Sequence, residues 1–88
     1  MTLERQIAIM DAAMILRALS AEGDMRILLN SLADRVDRVA IAQNNVARSV
    51  IVHDILNLRI ELVEAGGLSN SVLAGSLSGV NNLLTMEV

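Results

Sequence analysis

The chain has 88 residues, a formal charge of −3 and 53% apolar side chains. It has no cysteine, proline, lysine, phenylalanine, tyrosine or tryptophan. That length allows one small domain. The missing thiols exclude disulfides, cysteine-based zinc sites and thiol nucleophiles. A core must therefore come from Leu, Ile, Val, Met and Ala. A domain this short buries only roughly 60% of the surface its unfolded chain exposes. The supply of aliphatic side chains exceeds what one copy can hide.

Thr2 is an N-cap residue for a first helix over about 3–22. Helical spacing places two apolar stripes on it. One is Leu3, Ile7, Met10 and Met14; the other is Ala8, Ile9, Ala12, Ile15, Leu16 and Leu19. A thin acidic strip of Glu4, Asp11 and Glu22 separates them. A surface helix needs one apolar stripe only. The second stripe marks burial on two sides, and Leu3, Ile7, Met10 and Met14 are the expected contact with a second copy. Gly23 is expected to end this helix as its C′ glycine. Asp11 and Arg17 interrupt the apolar run, so no membrane span is expected. Glu4 and Asp11 also oppose a signal peptide, so the N-terminus reads as mature and the protein as cytoplasmic.

Asp24 can cap a second helix, and no glycine follows before Gly66. One helix over 24–65 is an alternative to two. Asn44 and Asn45 favour turns and caps, so the segment splits there into helices at about 25–42 and 46–65. The expected inward residues are Ile27, Leu28, Leu32, Val36 and Val39, then Val50, Ile51, Ile55, Leu58 and Leu62. The stretch 56–62 also alternates as a strand does, but the i, i+4, i+7 spacing from Ile51 favours helix. After Gly66 and Gly67 the chain is rich in Gly, Ser and Asn. Residues 68–88 read either as a short helix or as a β hairpin turning at Asn81 and Asn82.

Candidate chemistry is sparse. His53, Asn57 and Glu61 share a helical face beside Asp54, but a zinc site needs three or four ligands. Glu61 and Glu64 lie one turn apart on one helix rather than across a cleft. Ser69, Ser71, Ser76 and Ser78 have no general base nearby in sequence. Gly75 and Gly79 form G-x-x-x-G, which permits close helix approach; in a loop it supplies flexibility, the preferred reading here. No nucleotide-binding fingerprint is present. The expectation is a protein with no enzymatic activity and no cofactor. Arg35, Arg38 and Arg48 are the densest basic group, with Asp34 and Arg38 spaced as an i, i+4 pair.

Three segments carry a resemblance: AMILRALSAEGDMR (13–26), SLADRV (31–36) and ELVEAGGL (61–68). Together they resemble the small winged-helix proteins, in particular short proteins of Mu-like phages and prophages, over about half the chain. The resemblance implies that Leu32, Ala33 and Asp34 open a supporting helix. It also implies that the segment ending at Leu68 is a recognition helix and that 68–88 is a β wing. DNA is then the implied partner, with Arg35, Arg38 and Arg48 on phosphate. A sequence pI of about 4.9 opposes that use, because DNA affinity comes largely from neutralised phosphates.

The expected fold is mainly α: one helical domain of three or more helices over 1–88, ending in a short helix or a winged-helix-like hairpin. The expected function is a non-catalytic helical module that forms a homodimer or meets another protein. A winged-helix DNA-binding regulator is the alternative.

Overall fold

The computed structural model describes residues 2–86. They form four helices: α1 (Leu3–Ala18), α2 (Gly23–Ala42), α3 (Asn45–Ala65) and α4 (Leu68–Thr85). Connections of two to four residues force neighbouring helices to run antiparallel. Polar ties show that direction: Gln6 meets Ala40, Arg35 meets Asp54, and Arg48 meets Leu84. Each helix packs on its chain neighbours, and α1 closes the ring against α4. The seam between α2 and α3 is the loosest of the four.

The helix ends follow local chemistry. The Thr2 hydroxyl accepts the Arg5 N–H at 3.2 Å and opens α1. That helix stops at Ala18, short of the expected residue 22. Its end is tied by a long-range cap: the Arg26 guanidinium donates to the carbonyls of Leu16 and Leu19. Gly23 therefore does not close α1. It opens α2 with φ +59°, a conformation that suits glycine. The N-cap of α2 is Glu22, without a side-chain bond, while Asp24 sits in the first turn.

The split at the asparagines is present. Gln43 takes the left-handed conformation, and Asn44 accepts the Ala47 N–H at 3.0 Å. Residues 24–65 thus form two helices, and the alternating stretch 56–62 is helical. Beyond Gly66 and Gly67 the expected wing gives way to α4; there is no strand among the described residues. The reason lies in burial. Ala74, Leu77, Val80 and Leu84 recur at helical spacing and all enter the core. An edge hairpin could not bury them on one line. The last two residues of the proposed wing lie outside the described residues.

Ile9, Leu16, Leu29, Ile55, Leu77 and Leu84 anchor a core built from all four helices. In α2 the inward register differs from expectation. Leu29, Leu32, Val36 and Val39 are buried, while Ile27 and Leu28 are exposed. In α3, Ile51, Ile55, Leu58 and Leu62 are buried as expected, but Val50 is exposed. Ile15 of α1 is likewise exposed rather than inward. The radius of gyration is 12.5 Å, against about 12 Å for a globular chain of this length. Exposed apolar side chains are therefore not a product of loose packing.

Candidate interaction surface

α1 buries Ala8, Ile9, Ala12, Ala13 and Leu16 on one side. Small alanines there let its backbone approach its neighbours closely. On the opposite side Leu3, Ile7, Met10 and Met14 remain 69%, 48%, 50% and 65% exposed. Their spacing of four, three and four residues draws one line along the helix. Such a line on a solvent-facing helix is the place where polar residues normally stand.

Two polar ties join α1 to α2 along its length. Near its start the Gln6 amide donates to the Ala40 carbonyl at 2.9 Å. Near its end Arg17 bridges Asp34 at 2.9 Å and Asp37 at 2.6 Å. The hydrogen bond to Asp37, then that to Asp34, raises the Arg17 pKa above its ordinary value. The buried Ala8, Ile9, Ala12, Ala13 and Leu16 set the rotation of α1 and direct the methionines outward, and the two ties agree with it. Glu4 and Asp11 edge the apolar line and form no ion pair among the described residues. Glu22 lies outside the helix and does not extend that edge.

The arginines expected to form one phosphate-binding group are dispersed in use. Arg35 pairs with Asp54 at 2.9 Å, and Arg48 donates to the Leu84 carbonyl at 3.0 Å. Asp34 turns to Arg17 instead of Arg38, so the anticipated Asp34–Arg38 pair is absent and Arg38 has no ion pair among the described residues. Arg35 and Arg38 line a recess of about 400 Å³ between α2 and α3, whereas Arg48 lines a different one with Arg5.

His53, Asn57 and Glu61 are exposed on α3, while Asp54 is engaged by Arg35. No group of three or more metal-binding side chains occurs among the described residues. Glu61 and Glu64 stand on the same exposed side, and Ser78 accepts from Arg59 at 2.8 Å. Gly75 and Gly79 lie in a helix, not a loop, and a Cβ at either would meet nothing within 4 Å.

Sequence reading missed Gln6, Arg17 and Arg26. Each acts on a residue of another helix, and no local pattern announces such a tie. The described helices include none long and apolar enough to cross a membrane. No family model matches this chain, and no curated protein or solved structure matches it either.

Proposed function

We propose that this protein is a non-catalytic helical module that self-associates through α1, with a homodimer as the simplest assembly. The observation that carries the proposal is the line Leu3, Ile7, Met10 and Met14, directed away from the core on a helix whose opposite side is fully buried. Contiguous apolar surface on an otherwise well-packed small protein marks an interaction site more often than a packing defect. Flexible methionines suit a contact that must adapt to a second surface. Twofold dimers are the commonest assemblies of soluble proteins.

Sedimentation equilibrium at tens of micromolar is the test. The wild-type chain is expected to exceed its monomer mass. A variant carrying Ile7→Glu and Met14→Glu is expected to sediment as a monomer with unchanged helix content. A wild-type protein that stays monomeric at those concentrations would overturn the proposal. The DNA-binding alternative draws less support, since Arg35 and Arg48 are already engaged and α4 stands where a wing was expected.

A further inference from the structure

An apolar helix face requires a receiving surface, and the recess between α2 and α3 has the complementary character. Val39, Ala42, Ala47, Val50 and Ile51 line it, and Arg35 and Arg38 are its charged groups, with no carboxylate among the lining residues. Asp54 holds Arg35 from the side, while Arg38 has no ion pair among the described residues. α3 begins at the same place, and its first turn carries no acidic side chain. The positive end of that helix adds to the field of the two arginines. A fitting occupant is apolar, with a negative edge.

The outward side of α1 has that description. Met10 and Met14 project from it, with Asp11 one residue after the first and three before the second. Asp11 and Glu4 are exposed and form no ion pair among the described residues. Building on the self-association proposed above, we infer that Met10 and Met14 of one copy seat in the α2–α3 recess of another, with Asp11 on Arg38. At about 400 Å³ the recess has room for such side chains.

Two arguments favour this pairing over α1 against α1. A stable interface buries about 800 Å² on each partner. One line of four side chains on a convex helix supplies less than that, whereas a recess also covers the flanks of the helix it receives. An antiparallel α1–α1 contact would also bring the Glu4–Asp11 edge against the same edge of its copy, and like charges in an interface are costly. Since donor and acceptor are different surfaces, two copies engage reciprocally or successive copies continue into a ring or chain.

Opposite charge reversals test the pairing. Asp11→Arg and Arg38→Glu both alter exposed side chains without internal ion pairs, so both variants are expected to keep the wild-type helix content and melting behaviour. Each alone is expected to associate about tenfold more weakly than wild type. An equimolar mixture is expected to recover to within about threefold. In the mixture the new arginine on α1 of one protein meets the new glutamate in the recess of the other, and the remaining contact is native. If Arg38→Glu associates as wild type does, or the mixture fails to recover, the recess is not the receptor. Self-association through α1 would then still stand, provided that Ile7→Glu with Met14→Glu dissociates the protein. A monomeric wild type would remove both.

Discussion

α1 and α2 lie side by side and bury comparable inner stripes, yet their outer sides differ. Behind Leu29, Leu32, Val36 and Val39, α2 presents Asn30, Asp34, Asp37 and Arg38 through its middle, with Ile27 and Ile41 exposed toward its ends. Behind Ile9, Ala12, Ala13 and Leu16, α1 presents Leu3, Ile7, Met10 and Met14. Both inner sides are fully packed. On α1 the exposed large apolar groups run in one line, whereas on α2 charged residues separate them. One stripe of α1 therefore belongs to folding, and the other is surplus to it. Substitutions can separate these roles.

The inner stripe gives the largest effect. Leu16 has no exposed surface. Leu16→Ala is expected to lower unfolding free energy by about 2–5 kcal/mol, through lost transfer energy and a residual cavity. Urea unfolding followed by circular dichroism measures it. A loss below about 1 kcal/mol would mean that the inner side of α1 is not the one packed.

The tie between the two helices ranks next. Arg26 of α2 donates to two carbonyls at the end of α1. Arg26→Met keeps much of the aliphatic stem and removes those bonds, at an expected cost of about 1–2 kcal/mol. The same loss is expected to appear as faster amide exchange in the last turn of α1. Uniform protection along that turn in the variant would show that the cap contributes nothing.

α4 extends the comparison to a helix whose outer side is uncharged, with Leu68 and Val72 exposed toward its start. Gly75 and Gly79 occupy that side with open space around them. Gly75→Ala and Gly79→Ala are each expected to stabilise the chain by about 0.5–1 kcal/mol, because helical glycine loses more backbone freedom on folding. Thermal melts check this. A destabilised variant would reveal that something packs closely on the glycines.

How far these features can be read from residue order depends on whether their causes are local. Thr2, the Asn44–Asn45 break and the Gly66–Gly67 turn act on their own backbone, so the helix count up to residue 65 follows from them. The α3 stripe from Ile51 to Leu62 is similarly plain. Ile27, Leu28 and Leu29 are consecutive, and only packing against α1 and α3 decides that Leu29 turns inward. α4 has no charged residue between 68 and 85 to mark an outer side, so helix and hairpin looked equivalent until burial of Leu77, Val80 and Leu84 chose between them. The outward line on α1 was legible as a surplus stripe. The ties beside it were not, because Gln6 and Arg17 depend on partners 34, 17 and 20 residues away.

The smallest expected change in folding comes from the outer stripe, and it is the most discriminating. Met14 is 65% exposed and belongs neither to the buried core nor to the partly buried side chains packed against it. Met14→Ser is expected to alter the stability of dilute protein by no more than about 0.5 kcal/mol, as surface substitutions do. Concentration then separates surplus from structure. Association stabilises the folded chain by mass action, so the wild-type melting temperature is expected to climb with protein concentration. In the Met14→Ser variant that dependence is expected to flatten. A variant that loses more than about 1 kcal/mol when dilute would place Met14 among the residues that hold the single copy together, and the contrast between the two sides of α1 would vanish.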